Sequence, residues 1–274
     1  MKRRKSITFV VPVNDEYIFS SNFMSSPLFE IDDYEIISQR EFYSASKAYN
    51  DAIDRSQNDI IVFSHQDIIL PAFWEKELLR SLNYLTEHDP KWGVIGCYGE
   101  NREYNSCKGY GYMYCIGNKK LLGGLLFHPM PIQTLDEVVL ILRKSSGLRF
   151  DERLPHYHLY GTDICMTSKS RGMNCYAISA FCIHNTKKIH VLPKEFFECY
   201  KYIKRKWYSM LPIETTCIRI SKCDLYNYIK YKYLRNYKYK LSNIVSVETH
   251  INNAESVDPL MLLLRLQNEY KLYM

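Results

Sequence analysis

Apolar and polar positions along the chain fall into short blocks. Residues 7–13 (Ile-Thr-Phe-Val-Val-Pro-Val) run into Asn14-Asp15-Glu16, and residues 60–63 (Ile-Ile-Val-Phe) run into Ser64-His65-Gln66-Asp67. Residues 138–142 follow the acidic pair Asp136-Glu137, and residues 176–183 end in His184-Asn185. Short β-branched runs of this kind predict strands of a sheet covered on both faces. Pro12 stands near its strand's end, where a missing donor is tolerated. Residues 35–38 and 92–98 add two further strand candidates.

Between the strands the spacing changes to that of helices. Phe42, Ala45, Ala48, Tyr49, Ala52 and Ile53 share one helical face, and so do Trp74, Leu78, Leu79, Leu82 and Leu85. Residues 164–171 predict a short helix stopped by Gly172, and residues 257–272 a terminal one. Strands alternating with helices predict an α/β fold of βαβ units with right-handed crossovers. Seven of the eleven glycines lie within residues 96–124, with no Gly-x-Gly-x-x-Gly opening a helix. That stretch predicts a hairpin or loop and excludes a dinucleotide fingerprint.

Composition supports a globular chain: 274 residues, 46% hydrophobic and 14% aromatic. The 24 tyrosines are read as compositional bias. The net charge of +6 is unevenly placed. From Lys187 onward there are 16 Lys/Arg against 8 Asp/Glu, which leaves 20 against 22 before it. We therefore expect a domain at 1–190 and a basic, Tyr-rich, helical extension at 191–274. Residues 201–208 and 226–240 alternate Lys, Tyr and aliphatics without a clean period. Such a tail invites single-stranded nucleic acid, but a solvated face is preferred, with anionic lipid head groups as a third reading. Nine cysteines, an odd number with no Cys-x-x-Cys, point to free thiols in a reducing compartment. No stretch has the apolar length of a membrane span. The expected location is cytoplasmic, with room for peripheral contact at the inner face of the membrane.

In open α/β sheets ligands bind beyond the carboxyl ends of the strands, where His65, Gln66 and Asp67 stand. Their order with the other blocks resembles the A-type fold of nucleotide-sugar glycosyltransferases, specifically the family 2 relatives, over about residues 7–190. The resemblance rests on residues 7–16, on Ser46-Lys47-Ala48-Tyr49-Asn50, on His65-Gln66-Asp67, on Phe150-Asp151-Glu152, on Gly161-Thr162-Asp163 and on His184. The match is to a divergent subgroup with His-Gln-Asp in place of Asp-x-Asp. It implies a Rossmann-like, mostly parallel central sheet with helices on both faces. It also implies transfer of a sugar from a nucleotide-diphosphate donor to the hydroxyl of a glycan or lipid-linked acceptor, with inversion, in surface glycan or glycoconjugate synthesis.

By the same resemblance Asp67 is the ligand of Mn²⁺ or Mg²⁺ at the diphosphate, with His65 and His184 completing the set. Imidazole suits Mn²⁺ better than Mg²⁺. Asp163 matches the general base, although Thr162 stands where relatives carry another carboxylate; a helix N-cap is its structural alternative. Asn14, Asp15, Asn50 and Gln66 match positions near the nucleotide, while Asp136 and Glu137 are candidates for contact with the donor or acceptor sugar. The competing reading is a catalytically silent relative that binds nucleotide or glycan. His156 and His158 suggest a zinc pair, without further ligands at suitable spacing.

Overall fold

The computed structural model describes residues 4–103, 106–187, 192–223 and 256–270. In chain order the strands are β1 (Arg4–Pro12), β2 (Asp33–Gln39), β3 (Ile60–Ser64), β4 (Ile68–Ile69), β5 (Val94–Gly96), β6 (Tyr98–Glu103), β7 (Ser106–Cys115) and β8 (Lys120–Gly123). They continue as β9 (Met130–Pro131), β10 (Thr134–Leu135), β11 (Val139–Arg143), β12 (Cys175–Ala177), β13 (Cys182–His184), β14 (Ile213–Glu214) and β15 (Arg219–Ile220). The principal helices are α1 (Ala45–Arg55), α2 (Trp74–His88), α3 (Tyr160–Ser170), α4 (Lys194–Lys206) and the terminal helix Pro259–Tyr270.

The large sheet has the order β2-β1-β3-β11-β5-β12-β9. Strands β2, β1, β3, β5 and β12 run one way, and β11 and β9 oppose them. Alternate side chains of each strand feed two cores. On one face Val10, Ile61, Phe63, Leu140 and Val94 meet Ala48 and Tyr49 of α1, Ile164 of α3 and Phe196 and Ile203 of α4. On the other, Phe9, Val11, Val62, Ile141 and Ile95 meet Trp74 and Leu78 of α2 together with Phe19 and Phe23. The chain is thus an α/β fold of the doubly covered kind expected.

A smaller sheet, β10-β6-β7-β13-β4, stands beside the large one. Residues 176–183, expected as one strand, divide between the two. Ile178 still donates to the carbonyl of Gly96 at 2.9 Å, and the chain then crosses to β13. The glycine-rich stretch forms the hairpins β6–β7 and β7–β8.

Three other elements differ from the sequence reading. Leu79 is exposed, so the buried stripe of α2 is Trp74, Leu78, Ser81 and Leu85. The third helix begins at Tyr160, four residues before the expected start at Ile164, with Leu159 as its cap. Residues 201–208 lack a clean period alone, yet with the preceding turn they form α4 and a short 3₁₀ turn. Phe196, Cys199, Tyr200 and Ile203 follow helical spacing and pack into the first core. The stretch 226–240 lies outside the described residues. Among the described residues no helix is long and apolar enough to cross a membrane, and Cys97, Cys115, Cys165, Cys175, Cys182, Cys199, Cys217 and Cys223 are free.

Candidate active site

The two sheets converge on one loop. At its start the His65 amide donates to the carbonyl of Val138 at 3.1 Å, extending the β3–β11 ladder. At its end β4 pairs with β13, and the Asn185 amide donates to the carbonyl of Asp67 at 2.9 Å. His184 is paired on one side with Ile68 and on the other with Cys115 of β7. Backbone ladders therefore set both approaches to the loop.

This geometry brings His65, Asp67 and His184 together, with one ligand atom from each within 4.8 Å of the others. Asp67 Oδ2 stands 3.4 Å from His184 Nε2, and the imidazole rings are 5.7 Å apart. His184 Nε2 is buried, and its partner is the Asp67 carboxylate of this ion pair. A divalent cation fits this donor set of one carboxylate and two imidazoles, and the imidazoles favour Mn²⁺ over Mg²⁺.

Charge and burial act together here. Burial opposes ionisation of Asp67, but the charges of His184 and His65 outweigh it and hold its carboxyl below the usual range. Burial likewise disfavours the His184 cation, yet Asp67 and Asp136 raise its pKa. His65 goes the other way, with burial lowering its pKa against the pull of Asp67. His158, whose ring packs against Phe196 at 5.7 Å, is pushed down to about 4 by burial and then by the charge of His65.

Asn14, Asp15 and Gln66 meet at the adjoining strand ends. Gln66 Oε1 accepts from the amides of Asn14 at 3.0 Å and Asp15 at 3.2 Å, and its Nε2 donates to Asn14 Oδ1 at 2.5 Å. Asp15 also caps the turn Glu16–Ile18 through the Ile18 amide at 3.0 Å. Asn50 is committed elsewhere. It exchanges hydrogen bonds with the backbone of Phe150 and donates to Glu152 at 3.0 Å, tying α1 to that loop. Asp136 accepts from the Val138 amide at 3.2 Å. Glu137 packs beside Gly161, the second residue of α3, and is pushed up to about 8 by burial and then by Asp136, despite bonds from the Gly161 and Leu159 amides.

Asp163 lies within the first turn of α3, its amide donating to the carbonyl of Leu159, so it is not the cap. Its carboxylate is buried and already engaged, by Lys206 Nζ at 2.8 Å and Trp207 Nε1 at 2.7 Å. Burial raises its pKa, and Lys206 only partly opposes this. His156 pairs with Glu198 at 2.7 Å. Neither His156 nor His158 joins a metal-ligand cluster among the described residues. Tyr160, absent from the sequence candidates, places its hydroxyl 2.8 Å from His65 Nε2. Among the chain's 24 tyrosines, nothing in the sequence singles it out.

Residues 8–205 match the family described as "Glycosyltransferase like family". A protein of Fuscovulum blasticum described as "ATP synthase subunits region ORF 6" is 26% identical over 165 residues, 57% of this chain and 64% of that protein. The chain thus spans less than two thirds of that relative. Among solved structures, S. aureus TarS 1–349 in complex with UDP aligns over 97% of this chain and 78% of its own, at 11% identity and TM-score 0.47. Mannosyltransferase PcManGT from Pyrobaculum calidifontis, in complex with GDP-Man and Mn²⁺, aligns over 98% and 81%, at 9% identity and TM-score 0.46.

Proposed function

Because the chain belongs to the glycosyltransferase-like family, as the match over residues 8–205 establishes, we propose that it transfers a sugar from a nucleotide-diphosphate donor to an acceptor hydroxyl. The observation that carries this reading is the cluster of His65, Asp67 and His184 beyond the carboxyl end of β3, one carboxylate and two imidazoles with a ligand atom from each within 4.8 Å of the others. A divalent cation held there would offset the negative charge that develops on the departing diphosphate. Gln66 fixes the Asn14 and Asp15 backbone beside that place, which suits the nucleotide end of the donor.

The proton from the acceptor hydroxyl needs a base. The sequence proposed Asp163, whose oxygens are engaged by Lys206 and Trp207. We assign the role to Glu137, whose carboxylate accepts from the Gly161 and Leu159 amides rather than from a cation, and whose proton affinity burial and Asp136 raise. A single displacement at the anomeric carbon with Glu137 as base inverts the configuration. The acceptor is a glycan or a lipid-linked sugar, in surface glycan or glycoconjugate synthesis. The protein works in the cytoplasm, touching the inner face of the membrane through its basic C-terminal region.

The test is a panel of sugar nucleotides with and without Mn²⁺, read as slow donor hydrolysis and as thermal stabilisation. Metal-dependent hydrolysis of at least one donor is expected. Stabilisation without turnover for any donor or acceptor would favour a silent, nucleotide-binding relative, and no response across the panel would remove both readings.

A further inference from the structure

The hydroxyl of Tyr160 lies 2.8 Å from His65 Nε2, 3.2 Å from the backbone carbonyl oxygen of Glu137 and 3.4 Å from the hydroxyl of Tyr49. A phenol has one proton to give. The carbonyl of Glu137 can only accept, so the Tyr160 proton is directed there. The phenol oxygen then accepts from His65, which requires the proton of that ring to sit on Nε2. A neutral imidazole has one N–H, and Nδ1 is left with its lone pair. The reverse arrangement, with Tyr160 donating to Nε2, would put the ring proton on Nδ1 and leave the Glu137 carbonyl without this donor.

We propose that Tyr160 is a positioning residue that holds His65 in the Nε2–H tautomer and so offers Nδ1 to a divalent cation shared with Asp67 and His184. The proposal rests on the metal role given above to that cluster. Tyr160 is well placed for the task, because it is fully enclosed in the first turn of α3 with its ring packed edge-on against Tyr49 at 5.3 Å. A hydroxyl held that firmly cannot follow a turning imidazole. The partner that fixes the second nitrogen of a metal-ligating histidine typically governs metal affinity by about 10–100-fold.

The experiment uses the full chain, metal-free and without donor. Ring-nitrogen NMR of His65 in protein carrying ¹⁵N-labelled histidine, assigned by its loss in His65→Ala, should show Nε2 protonated in the wild type. Tyr160→Phe, which keeps the ring and its packing, should give a mixture of tautomers. Mn²⁺ binding, read by the paramagnetic resonance of the free ion, should weaken about 10–100-fold in Tyr160→Phe. In Tyr49→Phe, which removes only the neighbouring hydroxyl, it should change less than about threefold. A wild-type His65 protonated at Nδ1 overturns the tautomer assignment, and unchanged Mn²⁺ affinity in Tyr160→Phe overturns the positioning role. If Asp67→Ala binds Mn²⁺ as the wild type does, the cation site itself fails, and the proposal goes with it.

Discussion

Glu137 separates a chemical role from a structural one. Its folded pKa is pushed up to about 8, above the ordinary glutamate value, by burial and by Asp136. Between those two values the folded chain keeps a proton that the unfolded chain releases, so its contribution to stability is full below the lower value and is lost as pH rises towards 8. Glu137→Gln removes that dependence. The melting temperature of the variant relative to wild type should climb from pH 5 to pH 8 and level off above; a constant difference would mean that Glu137 ionises normally. The same variant should lower turnover about 10²–10⁴-fold, the usual worth of a general base, with donor binding retained. Asp163→Asn should instead lower the melting temperature, since Lys206 loses its buried carboxylate. If Asp163→Asn keeps the fold and abolishes turnover while Glu137→Gln does not, Asp163 is the base. The residues at strand ends were legible because strand ends are where such sheets expose polar side chains. What could not be read was which partners hold them: Asn50 bonds to the Phe150 backbone about a hundred positions away, and Asp163 to Trp207 about forty positions away.

At the scale of elements, the hairpin β7–β8 holds His184 from one side. Gly111 has φ 118°, and a Cβ there would lie 2.1 Å from the carbonyl oxygen of Cys97; Gly123 has φ 71°, and its Cβ would lie 2.0 Å from the carbonyl oxygen of Gly111. Backbone blocks both positions, so no rotamer relieves the clash. Gly111→Ala should cost about 2–5 kcal/mol from strain and overpacking together. It should also weaken Mn²⁺ binding, because β7 carries Cys115 opposite His184. An unchanged melting temperature would show that the hairpin is not seated as described. Helix α4 makes a second case. Lys201, Lys204 and Arg205 line an open surface depression with Tyr200 and Tyr208, whereas Lys206 turns inward to Asp163 and Asp151. Changing the three outward cations to Gln should reduce binding to anionic vesicles about a hundredfold at low salt, at about 1 kcal/mol per charge. A wild-type chain that ignores such vesicles would end the membrane reading. The helix itself was hidden because Lys and Tyr on its outer face mask the spacing of Phe196, Cys199 and Ile203.

For the whole molecule, composition and packing draw the domain boundary differently. Charge divides the chain near residue 190, but charge describes the exterior. Beyond that point Phe196, Ile203, Ile213 and Ile220 are each at most 2% exposed and belong to the core beneath the large sheet. At about 1.5–3 kcal/mol apiece, their burial alone is worth about 6–12 kcal/mol, the size of a whole domain's net stability. Cutting there would also leave Asp163 buried without Lys206 and Trp207, and an uncompensated buried charge costs about a further 3–5 kcal/mol. The family match continues through residue 205, nearly to the end of α4. A chain ending at residue 190 is therefore expected to lose cooperative unfolding in heat and urea. If it melted in one transition near that of the full chain, residues 1–190 would be an independent domain, and the contacts of α4 would be dispensable to the fold that carries His65, Asp67 and His184.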